Sequence, residues 1–264
     1  MEIIQFDKCP DCGKAHTTPL RVYGGKNAIL SLPEIINGFG GKKVFFFADC
    51  HTYPAAGERV LTLLRESGFE CVPYIIDFEG KIMEPDEHSL GRLAMHFDYT
   101  CDVMVTVGSG VLNDLSKPIA QMTGKPYIIV GTAPSMDGYA SASSSMVKDG
   151  LKCSLNTGSP TVIIGDTDIL KTAPTEMLKS GLGDMLAKYV AVCEWRYAHL
   201  VTGEYYCEEI ANLVRTSLKK CIDHAEGLLA REDAAIEAVF EGLVISGITM
   251  YYAGVSRAAR SPSA

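Results

Sequence analysis

The stretch DVMVTVGSGVLND, residues 102–114, decides the fold of this chain of 264 residues. Its first half, Asp102 to Val107, is a short apolar run that predicts a buried parallel strand. Its second half begins an amphipathic segment that predicts a helix from about Val111 to Met122. The glycines between strand and helix let the backbone approach a pyrophosphate, which the exposed N–H groups and the helix dipole attract. An ordinary strand-to-helix turn is the alternative for this motif taken alone.

Short apolar runs and helical patterns alternate on both sides of this motif. Strands are predicted over residues 44–49, 72–76, 127–130 and 161–164, and helices over residues 54–67 and 86–98. Strands that alternate with helices of this length indicate βαβ units, a parallel sheet and helices on both of its faces. From Pro174 onward the pattern is helical, over residues 175–200, 204–230 and 233–252.

We therefore predict an α/β protein of two domains. Residues 1–165 form a Rossmann-like, dinucleotide-binding domain on a parallel sheet, and residues 166–264 form an all-helical domain. The net charge of −8 argues against a nucleic-acid-binding surface. No continuous apolar run reaches the roughly 20 residues of a membrane span, and the N-terminus lacks the features of a signal peptide. We expect a cytoplasmic protein that binds neither nucleic acid nor membranes.

Two further segments carry polar groups to the carboxyl ends of predicted strands. Asp49 ends the strand over residues 44–49, where a carboxylate can accept hydrogen bonds from a ribose diol and would repel a 2′-phosphate. This favours NAD over NADP, while a charge or cap at the next helix is an equal alternative, and Thr52 could also cap that helix. The loop Thr132–Ser141 is rich in hydroxyls and lies where parallel sheets bind ligands. A simple polar loop is the alternative.

The segment Gly181–Lys188 lies inside a helical pattern but contains two glycines. Each glycine costs roughly 1 kcal/mol in a helix interior, which suggests a break in the helix or the close approach of a ligand. Asp184 and Lys188 are four residues apart and share a helix face. They form either a surface ion pair or a site in which Asp184 points into a cleft between the domains.

Four strings, in this order, resemble the sn-glycerol-1-phosphate dehydrogenase family of the iron-containing alcohol dehydrogenase and dehydroquinate-synthase-like superfamily. They are GSGVLND at 108–114, TAPSMDGYAS at 132–141, DTDIL at 166–170 and GLGDMLAKY at 181–189. Together they are far more specific than any one glycine motif. The resemblance implies NAD(P)-dependent interconversion of dihydroxyacetone phosphate and sn-glycerol 1-phosphate. A glycerol dehydrogenase or dehydroquinate synthase is the alternative, although TAPSMDG fits those enzymes poorly.

The resemblance also implies the roles of particular residues. It implies that NAD or NADP contacts Gly108, Ser109, Gly110, Val111, Leu112, Thr132, Ala133, Pro134, Ser135 and Ser141, with Asp49 at the adenosine ribose. It implies that Asp137 contacts a small phosphorylated polyol. Asp184 would contact the substrate as a catalytic residue and also ligate a divalent metal, usually zinc in the family. Such a metal polarises the reacting oxygen, and the cofactor supplies the hydride chemistry.

One part of the family pattern is missing from the sequence. Similar enzymes complete the metal site with two histidines, whereas here the match ends near Arg257 and no histidine follows His224. Catalytic zinc takes three protein ligands, so Asp184 alone does not hold it. We therefore expect a C-terminally truncated helical domain, whose uncovered apolar helix faces favour a homo-oligomer. A folded dinucleotide-binding remnant without catalysis is the alternative function.

Cys9, Cys12 and His16 place three potential metal ligands within eight residues, like half of a zinc knuckle. No fourth ligand is evident nearby in the sequence. A plain turn with reduced thiols is the favoured interpretation, and a structural zinc site is the alternative.

Overall fold

The structure, a computed structural model, describes residues 3–78, 80 and 83–254, so the end of the family resemblance near Arg257 lies outside the described residues. The strands are β1 (Arg21–Gly25), β2 (Lys43–Asp49), β3 (Glu70–Ile76), β4 (Val103–Gly108), β5 (Tyr127–Gly131), β6 (Ser143–Lys148), β7 (Leu151–Asn156) and β8 (Val162–Asp166). The α-helices are α1 (Leu32–Gly38), α2 (Glu58–Glu66), α3 (Glu87–His96), α4 (Gly110–Thr123), α5 (Thr167–Leu170), α6 (Thr175–Thr202), α7 (Glu208–Asp223) and α8 (Asp233–Ala253).

Six strands form one parallel sheet in the order β1-β8-β5-β4-β2-β3. Both faces of its central strands are covered. On one face, Val44 and Phe46 of β2 pack in a buried cluster with side chains of α1 and α2. On the other face, the hydroxyl of Thr106 in β4 lies 2.8 Å from that of Ser116 in α4. Burial on two faces explains why these strands are continuous apolar runs in the sequence.

The strand order reverses between β2 and β4. The chain runs from β2 to the edge strand β3, then returns to β4 and continues on the other side to β5. In open α/β sheets, ligands bind in the crevice outside the carboxyl ends of the strands at such a reversal. The topology therefore brings the end of β2, at Asp49, beside the end of β4, at Gly108.

The chain divides into two compact units. The sheet unit comprises Leu20–Ala133 and Ala142–Ala173, and the helical unit comprises, among the described residues, 3–19, 134–141 and 174–254. This division differs from a single boundary at residue 165. The N-terminal segment and the loop 134–141 pack with the helices, and α5 stays with the sheet. The functional roles assigned to the two domains stay predictions.

Most predicted elements are confirmed within a few residues, although the helix predicted over residues 204–230 is shorter and covers Glu208–Asp223. The elements β1, α1, α5 and the antiparallel hairpin of β6 and β7 were not predicted. The strands β1, β6 and β7 are short and only partly buried, so they lack a long apolar run. The hairpin turn at Asp149-Gly150 has positive φ at both residues, 51° and 74°. Asp-Gly is a strong local signal for such a turn and could have revealed the hairpin.

Helix α6 runs from Thr175 to Thr202 without a break, so the break suggested by its two glycines is wrong. The reason for the first glycine is close packing within the helical unit. A Cβ atom at Gly181 would lie 1.8 Å from the carbonyl oxygen of Pro134, whereas one at Gly183 would meet nothing within 4 Å. The close approach is therefore made by the chain's own loop 134–141.

Helix α8 is long and apolar enough to cross a membrane by length and composition alone, as judged over a window of 18 residues. The sequence lacks a continuous apolar run of this length because acidic side chains interrupt it. Within the chain, 72% of that window is buried. A buried core helix passes the same test, so α8 is weak evidence for a membrane span.

Candidate functional site

A cavity of about 400 Å³ opens at the strand reversal of the sheet unit. It is lined by Asp49, His51, Phe78, Gly80, Met83, Ser109, Val111 and Leu112. The end of β2 and the turn after β4 therefore share one cavity, although Ser109 lies 60 positions after Asp49 in the chain. Of the predicted cofactor-binding residues, this cavity brings together Asp49, Ser109, Val111 and Leu112.

The Asp49 carboxylate is held in a fixed orientation at the rim of this cavity. Its Oδ1 accepts hydrogen bonds from the backbone N–H groups of His51, at 2.8 Å, and Thr52, at 2.6 Å. The Thr52 hydroxyl in turn accepts from the Asp49 N–H, at 3.0 Å. The prediction that Thr52 caps the following helix is therefore wrong, since its side chain closes the turn on Asp49 instead. These two contacts use Oδ1 and not Oδ2.

The turn after β4 presents the start of α4 to the same cavity. A Cβ atom on Gly108 would lie 2.3 Å from Cδ1 of Leu112, so only glycine allows this tight entry into the helix. Ser109 is the N-cap residue, but its side chain makes no capping hydrogen bond. The first turn of α4 also contains no acidic residue. Its N–H groups and the positive end of the helix dipole are therefore suited to an anion.

The neighbouring strand contributes the start of the loop 132–141. The N–H of Thr132 donates to the carbonyl of Gly108 at 3.0 Å, which ties the two strand ends together. Thr132 and Ala133 are buried and belong to the sheet unit, whereas Pro134, Ser135 and Ser141 belong to the helical unit. The Ser141 hydroxyl donates to the carbonyl of Gly138, at 3.1 Å.

A buried ion-pair network lies in the helical unit. The Lys188 ammonium donates to Oδ2 of Asp137, at 2.8 Å, and to Oδ1 of Asp184, at 2.7 Å. The Ser246 hydroxyl also donates to Oδ2 of Asp137, at 3.1 Å, and the Asp137 N–H donates to Oδ2 of Asp184, at 2.9 Å. The Lys188 side chain is only 2% exposed, so the interpretation of Asp184 and Lys188 as a surface pair is wrong.

The groups around Asp184 shift the pKa of its carboxyl group. Burial raises the pKa of Asp184, the nearby Asp137 carboxylate raises it further, and Lys188 opposes both effects. Two carboxylates share one ammonium, so the network carries a net negative charge when both are ionised. Helix α8 packs closely against the backbone of Asp137. A Cβ atom on Gly247 of α8 would lie 2.7 Å from the Asp137 carbonyl oxygen, so the position requires glycine.

Three features of these sites, two contacts and one residue, were not found by sequence reasoning. The contact of Ser246 with Asp137 and that of Lys188 with Asp137 join residues 109 and 51 positions apart, and no local pattern marks them. The third is Cys207, whose sulfur lies 3.6 Å from that of Cys9 in the helical unit. Among the described residues, the group of potential metal ligands that comes together is Cys9, Cys12, His16 and Cys207. No comparable group forms around Asp184 in the described part of the chain.

The sheet order, the glycine turn and the crevice at the strand reversal define a doubly wound α/β protein with a helical second unit. Solved structures share this fold. An iron-containing alcohol dehydrogenase from Thermococcus thioreducens superposes with a TM-score of 0.74 at 16% identity, over 91% of this chain and 68% of that one. A probable glycerol dehydrogenase from Sinorhizobium meliloti gives a TM-score of 0.70 at 21% identity, over 87% and 65%.

The family follows from the sequence matches. The family model for iron-containing alcohol dehydrogenases matches residues 23–174, and the chain belongs to this family. It is 34% identical to a glycerol-1-phosphate dehydrogenase [NAD(P)+] of Halalkalibacterium halodurans, over 89% of this chain and 59% of that protein. It is 32% identical to the protein of the same name from Hyperthermus butylicus, over 91% and 68%. The chain spans about six tenths of the length of the first of these relatives.

Proposed function

We propose that this chain acts in the NAD(P)-dependent reduction of dihydroxyacetone phosphate to sn-glycerol 1-phosphate. The observation that carries the proposal is the cavity that joins Asp49 to the turn before α4, in a chain about one third identical to enzymes named for this activity. The reaction moves a hydride from the reduced nicotinamide to the carbonyl carbon and adds a proton to its oxygen. The dinucleotide supplies the hydride chemistry when bound.

We assign the dinucleotide to the sheet unit. Its pyrophosphate lies against the N–H groups of residues 108–112, where a tight glycine turn and the helix dipole favour an anion. Oδ2 of Asp49 accepts from the hydroxyls of the adenosine ribose, and its charge disfavours the 2′-phosphate of NADP. We therefore propose NAD as the better cofactor. Thr132, Ala133, Pro134, Ser135 and Ser141 are proposed as further contacts on the basis of the family resemblance.

The substrate is assigned to Asp137 and Asp184. Oδ2 of Asp137 accepts from both Lys188 and Ser246, which leaves Oδ1 to accept a substrate hydroxyl. Lys188 acts as a positioning residue, because its ammonium contacts both carboxylates and fixes their orientation. Asp184, with its raised pKa, is proposed as the second contact with the polyol.

Asp184 is also proposed as the ligand that this chain contributes to a catalytic divalent metal, with zinc as the candidate. The described residues do not fit such a site on their own. Both oxygens of Asp184 accept hydrogen bonds, from Lys188 and from the Asp137 N–H, and a catalytic zinc takes three protein ligands. No step of the reaction is therefore assigned to a metal.

We further propose a cytoplasmic protein that acts on a small phosphorylated polyol and forms homo-oligomers. Exposed apolar side chains on α6 support self-association, because they recur at helical spacing along one helix. They are Leu186 (47% exposed), Tyr189 (68%), Val190 (52%), Tyr197 (68%), Leu200 (74%) and Val201 (63%).

A cavity-filling variant tests the cofactor assignment. Val111→Trp places a large ring into the cavity, and we expect NADH affinity, measured by calorimetric titration, to fall by more than about tenfold. Met122→Trp, at the other end of α4 where the side chain is 66% exposed, is the matched control and should bind NADH normally. Equal binding by both variants, or no NADH binding by the unchanged chain, would overturn the cofactor assignment.

The reaction is tested by following NADH absorbance with dihydroxyacetone phosphate and divalent metal ions present. We expect oxidation that requires the phosphate ester, with dihydroxyacetone as a poor substrate. Oxidation with the unphosphorylated compound alone would indicate a glycerol dehydrogenase-like enzyme. NADH binding without any turnover would show that the chain is a dinucleotide-binding protein without catalysis.

A further inference from the structure

The four buried or half-buried side chains Cys9, Cys12, His16 and Cys207, here called the cysteine cluster, lie outside the site described above. One ligand atom from each lies within 4.8 Å of all the others. Three of them come from the N-terminal segment and the fourth from the residue that precedes α7, so that 191 positions separate His16 from Cys207. All four belong to the helical unit. We propose that the cysteine cluster is a structural zinc site.

The distances in the cluster are those of neighbouring ligands in a tetrahedral site. Zinc–sulfur bonds of about 2.3 Å and zinc–nitrogen bonds of about 2.0 Å place tetrahedral neighbours roughly 3.5–3.8 Å apart. The sulfurs of Cys9 and Cys207 lie 3.6 Å apart. Nε2 of His16 lies 3.2 Å from the Cys12 sulfur and 3.7 Å from the Cys207 sulfur. Small shifts of the four ligand atoms towards or away from a central ion would give regular tetrahedral coordination.

The backbone of the N-terminal segment holds its ligands on one side. The Gly13 N–H donates to the Cys9 carbonyl at 2.9 Å, and the Cys9 N–H donates to the Lys14 carbonyl at 2.8 Å. Gly13 has φ of +71°, a conformation that favours glycine. Paired backbone hydrogen bonds between Phe6 and His16 then return the chain so that the imidazole faces the sulfurs. This turn holds the three residues for which the sequence left a structural zinc site as the alternative to a plain turn.

The surroundings of Cys207 fix the fourth ligand against that turn. The Asp11 carboxylate accepts from the Glu208 N–H at 2.7 Å, which fastens the N-terminal turn to the start of α7. The Tyr205 hydroxyl donates to the Cys12 sulfur at 3.3 Å, and the Tyr205 carbonyl accepts from the Trp195 indole. The His16 ring stacks on Tyr252, with 5.6 Å between centroids. Ligands oriented by neighbours in this way are typical of metal sites.

The chemistry of the donor set selects the metal and its role. Three thiolates and one imidazole are a set that zinc prefers, and four protein ligands close the coordination shell. The site therefore has no open position for water or substrate and is structural. It would join the N-terminal segment to α7 and stabilise the helical unit, because Cys207 is far from the other three ligands in the unfolded chain.

Metal analysis of the full chain tests the proposal. We expect about one zinc ion per chain after purification without chelator. Cys12→Ser and Cys207→Ser should lose it, whereas Cys193→Ser, an exposed cysteine on α6, should retain it. Replacement of zinc by cobalt should produce the intense visible bands of a tetrahedral ion and a thiolate-to-cobalt charge-transfer band. Because a serine variant could fail to fold, Cys207→His provides a second test that keeps four ligands and should retain cobalt with weaker charge transfer.

Several results would overturn the proposal. One is a folded chain that takes up no zinc or cobalt. A second is a disulfide between Cys9 and Cys207 found by mass spectrometry in the freshly purified protein, which would make the cluster a redox pair. A third is zinc that is lost in Asp184→Asn but retained in Cys12→Ser, with no thiolate charge transfer, which would place the ion at the carboxylates instead.

Discussion

The turn before α4 and the ion-pair network around Lys188 both prepare a place for charge, but they are built differently. The turn uses consecutive residues, 108–112, and offers backbone N–H groups that need only the right local path. The network uses side chains from the loop 134–141, α6 and α8, and each depends on the others being in place. The turn therefore tolerates substitutions of the surface residues around it, whereas the network loses its structure when one of its side chains is removed.

The network should show the largest effect of a single substitution. Lys188→Met leaves Asp137 and Asp184 without their shared cation, and we expect the free energy of unfolding to fall by about 3–5 kcal/mol. Lys219→Met removes the exposed partner of Asp223 and is the matched control, with an expected change of less than about 0.5 kcal/mol. Chemical denaturation at neutral pH measures both values.

The pH dependence of the Lys188→Met deficit gives a second readout. The pKa of Asp184 is raised in the folded protein, so the folded state binds a proton more readily than the unfolded state above the ordinary aspartate pKa. Stability therefore falls as pH rises through that window, and the deficit of the variant should shrink as pH is lowered. A deficit of the same size at every pH would show that lost packing, and not the unpaired charge, causes it.

Two glycines of α6 test how tightly the loop 134–141 is held. We expect Gly181→Ala to lower the free energy of unfolding by about 1–3 kcal/mol, because its methyl group would collide with the Pro134 carbonyl. Gly183→Ala, two residues along the same helix, should instead raise it by about 1 kcal/mol, since the site is open and alanine favours helix. Thermal unfolding of the pair gives the sign of each effect. The same sign for both would contradict the close approach.

The smallest effect is expected at the cavity beside the turn before α4, where a substitution of Asp49 can change binding and leave stability unchanged. Asp49→Asn keeps the Oδ1 acceptor for His51 and Thr52 but loses the charge facing the cavity. We expect NADH to bind about tenfold more weakly, because a hydrogen bond to a charged acceptor contributes about 1.5 kcal/mol. NADPH should gain relative to NADH as repulsion of its 2′-phosphate is removed.

Calorimetric titration with both dinucleotides measures this change. Glu66→Gln, an exposed carboxylate at the end of α2, makes the same change of charge and should alter neither affinity. If Glu66→Gln weakens NADH binding as much as Asp49→Asn does, the effect of Asp49→Asn comes from the change in net charge, and the contact of Asp49 with the ribose is not made.

Much of the fold was predictable because its signals are local. The apolar runs of β2, β4 and β5 arise because both faces of these strands are buried, and the amphipathic pattern of α4 arises because one face of the helix is buried. Both patterns repeat at short intervals along the chain. The elements that escaped prediction, β1 and the hairpin of β6 and β7, are short and partly exposed, so hydrophobic patterning is weak there. The positions of Asp49, Asp137 and Asp184 came from motifs, but the partners of these carboxylates did not.

The sequence by itself determined the α/β class and the glycine turn, and it predicted the cofactor-binding residues and half of a possible zinc site. Each depends on residues close together in the chain, whose spacing limits what their backbone can do. Only the tertiary structure decided that Lys188 is buried between two carboxylates, that Gly181 admits the Pro134 carbonyl and that Cys207 completes the cysteine cluster. These contacts join segments 47 to 198 positions apart, and such pairings arise from the packing of whole helices and loops, which no local spacing encodes.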